Sequence, residues 1–175
     1  MTIAIYPATF DPITYGHVDI ATRAAAIFEK LVVSVHDRPL KTLLFSPEER
    51  RNMVSQALEH LPNVEVKLYH GLTEEFARQC GARVIVRGLR VLSDFEWEFQ
   101  LALTNRQLST DIDTVCLMAS QEYSFLSSSV VKEIALYGGR VDEMAPLHVV
   151  EALAQRFKTL GKDGDGKVNL VSLRD

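Results

Sequence analysis

The 175-residue sequence predicts an α/β fold: a single-domain, doubly wound sheet of five parallel strands with helices on both faces. Three observations predict it. Short β-rich runs alternate with stretches of helical periodicity along most of the chain. Capping signals open the helical stretches. The length suits one domain with a proper core, and neither an internal repeat nor a linker divides it.

The first strand is expected at Ile3–Tyr6. Val18 to Phe28 follows as a helix, with Ile20, Ala24, Ile27 and Phe28 at amphipathic spacing. The second strand is Leu31–Val35. Ser46-Pro47-Glu48-Glu49 then opens a helix, with Ser as cap, Pro in the first turn and Glu three residues past the cap. Val64–Leu68 is the third strand, and Thr73 with Glu74 and Glu75 starts the next helix. Val84–Val86 is the fourth strand. Ser93-Asp94-Phe95-Glu96 reads as a capping box leading to about Arg106, with Phe95, Phe99 and Ala102 on one face. After the fifth strand, Thr114–Met118, a helix follows Ser127–Ser129 and stops at Gly138-Gly139. A last helix begins at Pro146 and runs to about Leu160. Residues 1–160 are thus the domain and 161–175 a C-terminal tail. The tail's Asp163-Gly-Asp165-Gly lacks the other ligands of a calcium loop.

The formal charge of −4 argues against a nucleic-acid partner. No apolar run reaches the length of a membrane span, and no basic-then-apolar leader is expected. Cys80 and Cys116 lie far apart without metal-type spacing, which suits a cytoplasmic protein with free thiols. There is no H-E-x-x-H, no G-x-S-x-G, no G-x-x-x-x-G-K-[ST] and no G-x-G-x-x-G after a strand.

What remains is a set of corners at the C-terminal ends of the strands, the edge where open α/β sheets bind ligands. The first corner, YPATFDPITYGH, offers the Thr9 hydroxyl, Gly16 for close backbone approach, and His17 in the first turn of a helix whose positive end favours anions. Taken alone, Thr14 as a cap and His17 as a solvated first-turn residue explain it equally well. The second corner carries Arg38 and Lys41, the fourth Arg87, Gly88, Leu89 and Arg90, and the fifth runs from Gln121 to Ser129. Cations and hydroxyls gathered at one edge suit phosphates. With no protein nucleophile and no dedicated metal ligands, transfer at phosphorus fits, because it depends mainly on positioning and charge stabilisation. The first strand is expected beside the fourth, so that the His17 and Arg87 corners share the crevice at the switch point.

The motifs YPATFDPITYGH, VIVRGLRVLSDFEWEFQLALTNRQL and EYSFLSSSVVKE closely resemble those of the bacterial phosphopantetheine adenylyltransferases, over about Ile3 to Arg156. The T-x-G-H corner alone indicates only the wider nucleotidyltransferase superfamily. The stretch R-G-L-R-x-x-x-D-F-E-x-E is more specific. The resemblance implies a Rossmann-like fold that transfers the adenylyl group of ATP to 4'-phosphopantetheine, by direct in-line attack without a covalent enzyme intermediate. It implies His17 as transition-state stabiliser. Thr9, Phe10, His17, Gly88, Leu89, Arg90, Glu98, Tyr123, Ser124, Phe125, Leu126, Ser127, Ser128 and Ser129 would bind ATP. Thr9, Lys41, Thr73 and Arg87 would bind phosphopantetheine. Mg2+ would be held mainly through the ATP phosphates, with no protein metal site, and the assembly would be a homohexamer. The sequence departs from the family at Ala8, where Gly is usual, at Tyr15, where a small polar residue is usual, and in its longer tail. The alternatives are a T-x-G-H nucleotidyltransferase with another phosphorylated acceptor, and a nucleotide-binding module without catalysis.

Overall fold

The computed structural model describes residues 2–39 and 42–162. Lys41 and the Asp163-Gly-Asp165-Gly stretch therefore lie outside the described residues. The strands are β1 (Ile3–Ala8), β2 (Lys30–His36), β3 (Val64–Tyr69), β4 (Val84–Leu89) and β5 (Asp113–Met118). The helices are α1 (Tyr15–Ile27), α2 (Pro47–Ala57), α3 (Thr73–Gln79), α4 (Leu92–Leu108), α5 (Ser128–Leu136) and α6 (Leu147–Lys162). One sheet in the order β3-β2-β1-β4-β5 contains all five strands, every neighbouring pair parallel. The order reverses between β1 and β4, as expected.

Strand residues divide by parity, because successive side chains point to opposite faces. Ala4 and Tyr6, Leu31, Val33 and Val35, and Val86 pack in one core with Ile20 and Ala24 of α1, Val54 of α2, Val131 of α5 and Leu153 of α6. Ile5, Val32 and Ile85 face the other way and meet Phe76 and Ala77 of α3.

Pro7 makes β1 diverge from β4. The β1–β2 register runs through to Ala8, opposite Val35, whereas the β1–β4 register is Ala4 with Val84 and Ile5 with Ile85. Proline has no N–H to give a ladder. The Pro7 carbonyl instead accepts from Arg87 Nη1 of β4 at 2.7 Å. The two strands are held apart by a side chain, and the crevice opens where the corners lie.

Local chemistry explains most helix ends. Ser46 caps α2 and Glu49 returns to the Ser46 N–H at 2.8 Å, the expected capping box. At the end of α5, Gly138 has φ +75°, the Gly138 N–H bonds Ala135 O and the Gly139 N–H bonds Ile134 O, a Schellman stop. Helix α4 differs from expectation. It begins at Leu92, before Ser93, and Asp94 in its first turn accepts from the Arg90 and Val91 N–H groups. The stripe formed by Leu92, Phe95, Phe99 and Leu103 is exposed, with Phe95 and Phe99 stacked on each other. Phe95 and Phe99 share a face as expected, while Ala102 is half-buried and lines a cavity with Ile85 and Arg87 of β4.

Candidate active site

The corner after β1 is built from buried parts. Phe10 has φ +52°, a conformation that non-glycine residues adopt rarely, and its side chain is buried. Its ring stands edge-on to Tyr6 at 5.6 Å and to His17 at 5.1 Å. Asp11 is buried and accepts from the Leu44 and Phe45 N–H groups and from Lys132 Nζ, the last at 2.7 Å. Ala8, the first departure from the resembling family, ends β1 outside the left-handed region, so its methyl strains nothing. Tyr15, the second, sets its ring 6.3 Å from that of Tyr123.

The structure bears out Thr14 as a cap, and it shows His17 half-buried rather than solvated. Thr14 is the N-cap of α1, and His17 is the third helical residue. The Thr14 N–H donates to His17 Nδ1 at 3.1 Å, the bond a Glu or Gln makes in an ordinary capping box. The Thr14 hydroxyl is 2.9 Å from the same nitrogen. A nitrogen that accepts from an amide carries no hydrogen, so the ring hydrogen sits on Nε2. The cap thereby fixes His17 as a donor through Nε2 and denies it the role of a base through Nδ1. The first amide of α1 is already used: the Tyr15 N–H bonds Met144 O at 2.9 Å. Gly16 has ordinary helical backbone, and a Cβ there would touch Thr14 and Tyr123 at normal distances. Neither strain nor crowding within the chain requires glycine.

Across the crevice, Arg87 gives Nε and Nη2 to the two carboxylate oxygens of Glu98, at 2.6 and 2.5 Å. Burial pulls the Arg87 pKa down, but the hydrogen bonds and charge of Glu98 more than offset this and hold the guanidinium charged. A cavity of about 60 Å3 adjoins the pair. Pro7, Thr73, Arg87, Glu98, Ala102 and Asn105 are among its lining residues. Thr73 is fixed there by Tyr69, whose hydroxyl lies 3.2 Å from Thr73 Oγ1.

The fifth corner is brought to the first by tethers. Asp19 of α1 accepts from Ser120 N–H and Oγ, and Arg23 donates to Met118 O. Ser127 caps α5, accepting from the Val130 N–H, and Ser128 Oγ donates to Pro12 O at 2.8 Å. Arg90, clamped by Asp94, donates to Leu126 O at 3.1 Å. Gly88 serves packing: a Cβ there would stand 3.1 Å from Ile20 Cγ1, so α1 sits directly on β4.

The structure thus gathers the Thr9, Phe10, His17 corner, Arg87 with Thr73, Arg90, and the Tyr123–Ser129 segment at one edge of the sheet. Phe10 and Leu126 are buried, so only their backbones can face a ligand. Phe125 and Arg38 are exposed. Glu98, which the resemblance places among the ATP residues, pairs with Arg87 beside the cavity. Three residues that frame the corner were not singled out in the sequence: Asp11, Lys132 and Arg50, whose guanidinium donates to the Thr9 carbonyl. Arg50 had a signal, since it occupies the buried phase of α2 with Met53 and Val54, an unusual place for a cation.

A family model described as cytidylyltransferase-like matches residues 5–134. A phosphopantetheine adenylyltransferase of Thermomicrobium roseum is 53% identical over 163 residues, covering 91% of this chain and 98% of the relative. One of Picosynechococcus is 55% identical over 156 residues, covering 89% of this chain and 88% of the relative. Among solved structures, a putative nicotinate-nucleotide adenylyltransferase from Vibrio parahaemolyticus aligns with a TM-score of 0.64 at 16% identity, over 88% of this chain and 99% of that one. That likeness is one of fold.

Proposed function

The chain belongs to the phosphopantetheine adenylyltransferases, nucleotidyltransferases of the cytidylyltransferase-like family, and from that membership we propose how its site carries out the reaction. The enzyme transfers the adenylyl group of ATP to 4'-phosphopantetheine, a step of coenzyme A biosynthesis. An oxygen of the acceptor phosphate attacks the α-phosphorus in line, the bond to the pyrophosphate oxygen breaks, and dephospho-coenzyme A and pyrophosphate leave. The acceptor needs no base, because a phosphate monoester has its second pKa near about 6 and is already ionised. The chain's task is to align two polyanions and to meet the charge that develops.

The observation that carries this reading is the geometry of His17. The Thr14 N–H bond to Nδ1 orients the ring at the positive end of α1 and puts its hydrogen on Nε2. Thr9, the Phe10 backbone, Gly88 to Arg90 and Tyr123 to Ser129 would hold ATP across the switch point. Lys41, Thr73 and Arg87 would hold the acceptor. Glu98 would meet ATP only while it also orients Arg87. Mg2+ would come on the triphosphate and neutralise part of its charge. The Asp11 carboxylate beside the corner is taken by two amides and Lys132, which fits a metal held by phosphate oxygens rather than by the chain.

Pyrophosphate release from ATP should require 4'-phosphopantetheine and should not be supported by nicotinate mononucleotide. Release that ignores the acceptor would overturn the reading. Lys41→Ala should weaken acceptor binding by roughly 1.5–3 kcal/mol, the worth of a hydrogen bond to a charged group, with ATP binding changed far less. Titration calorimetry with each substrate checks this, and equal losses would show that Lys41 is no selective anchor.

We also place the enzyme in the cytoplasm as a homohexamer. Cys80 and Cys116 are free thiols, as a reducing compartment favours. Among the described residues no helix is long and apolar enough to cross a membrane. The exposed stripe on α4, where Leu92 is 85% and Phe95 50% exposed, is the kind of surface that copies of a chain cover in an assembly. Sedimentation equilibrium showing a monomer at micromolar concentration would refute the assembly.

A further inference from the structure

Arg50 is the largest side chain that the fold buries completely, and it lies 0% exposed on the inner face of α2. Its guanidinium donates to four acceptors, all main-chain carbonyls. Nε meets Phe45 O at 3.2 Å, Nη1 meets Thr9 O at 2.6 Å and His36 O at 2.8 Å, and Nη2 meets Asp37 O at 3.1 Å. These carbonyls belong to three separate segments: the end of the β1 strand region, the end of β2, and the approach to α2. Among the described residues no carboxylate lies within ion-pair distance of Arg50; burial pulls its pKa down, and the charges of Asp11 and Asp37 offset only part of that.

A buried cation is costly unless its hydrogen bonds are satisfied, and an apolar residue would fill this phase of α2 with less difficulty. The position of the four carbonyls explains what a guanidinium does that an apolar residue cannot. Carbonyls at the C-terminal ends of parallel strands present partial negative charge at the edge where a polyphosphate must sit. Five N–H donors in a rigid planar fork can engage carbonyls from three segments at once. Arg50 turns these acceptors inward, fixes the peptide that follows Thr9, and places its own positive charge beneath the corner. We propose that Arg50 is a positioning residue of the reaction, setting the Thr9 corner and the start of the 37–45 connection while supplying positive potential to the bound phosphates. This rests on the reading of the first corner as the phosphate site.

Two variants separate geometry from charge. Arg50→Lys keeps the charge but brings a single nitrogen with three donors, which cannot span the four carbonyls. Arg50→Gln loses the charge as well. Each variant is melted first, and assays are run at least ten degrees below its midpoint. Arg50→Lys should lower kcat tenfold or more while the Kd of ATP, titrated directly, stays within about threefold. Arg50→Gln should show the same fall in kcat and, in addition, raise the Kd of ATP at least tenfold. A purely structural role would lower the melting temperature and leave kcat per folded molecule unchanged, so a folded Arg50→Lys enzyme with wild-type kcat overturns the proposal. His17→Ala, assayed in parallel, tests the corner itself: an unchanged kcat there would remove the phosphate-site reading, whatever Arg50 does.

Discussion

His17→Ala is expected to lower kcat by roughly a hundredfold or more and to leave the dissociation constant of ATP changed much less. The magnitude is that of removing one preorganised donor from a developing oxyanion. Negative charge shifts onto the non-bridging and leaving oxygens as the α-phosphorus is attacked. A donor already fixed by its other nitrogen, as His17 is by Thr14, meets that charge without reorganising. The interaction strengthens towards the transition state, so its loss appears in kcat rather than in ground-state affinity. Steady-state kinetics and direct ATP titration of the same preparation check this. Should ATP affinity fall as far as kcat/KM while kcat holds, His17 is a ground-state anchor and the mechanism is wrong. The structure adds a companion expectation. Thr14→Gly retains the backbone N–H that fixes Nδ1 and should cost far less than His17→Ala, since a glycine cap costs only a few tenths of a kcal/mol.

Asp11→Ala destabilises the fold by about 3–5 kcal/mol, the cost of leaving a buried partner without its counter-charge. Both members are enclosed: the Asp11 side chain is 3% and the Lys132 side chain 10% exposed. The carboxylate also satisfies the Leu44 and Phe45 amides, which join the 42–45 segment to the first corner. The double variant Asp11→Ala with Lys132→Met should recover part of that loss, because the uncompensated cation is gone and the methionine keeps most of the volume. Denaturant unfolding of the two proteins decides it. A double variant less stable than Asp11→Ala would show that the ammonium is held by something other than Asp11.

How far the site was legible follows from the range of the signal. Ser46 with Glu49, and Gly138 with Gly139, act within a few residues of themselves, and both were readable because the chemistry is local. His17 was half readable. Its place in the first turn was clear, but a histidine closing a capping box looks like a solvated residue until the bond to Thr14 is seen. Arg87 was expected at the ligand edge. Its clamp on Glu98 depends on α4 packing back on β4, and the Pro7 carbonyl it holds 80 residues away in sequence depends on β4 lying beside β1. Phe95 and Phe99 do share one face of α4, stacked on each other, but helical periodicity reports that a face is apolar, not what covers it.

By itself the sequence determined the five strands, the helices between them, the capping chemistry and the set of corners that bear cations and hydroxyls. These follow from side-chain periodicity and backbone preference, which each segment carries alone. Only the tertiary structure decided which groups became donors to the site and which became its frame. Asp11 meets Lys132 across 121 residues, and Arg50 reaches the Thr9 carbonyl across 41. In sequence Lys132 looks like a surface charge of an ordinary helix, and Arg50 differs only in sharing the phase of Met53 and Val54. Burial makes them structural, because a charge removed from water must find every partner within the fold, and those partners exist only once the sheet has brought the strand ends together.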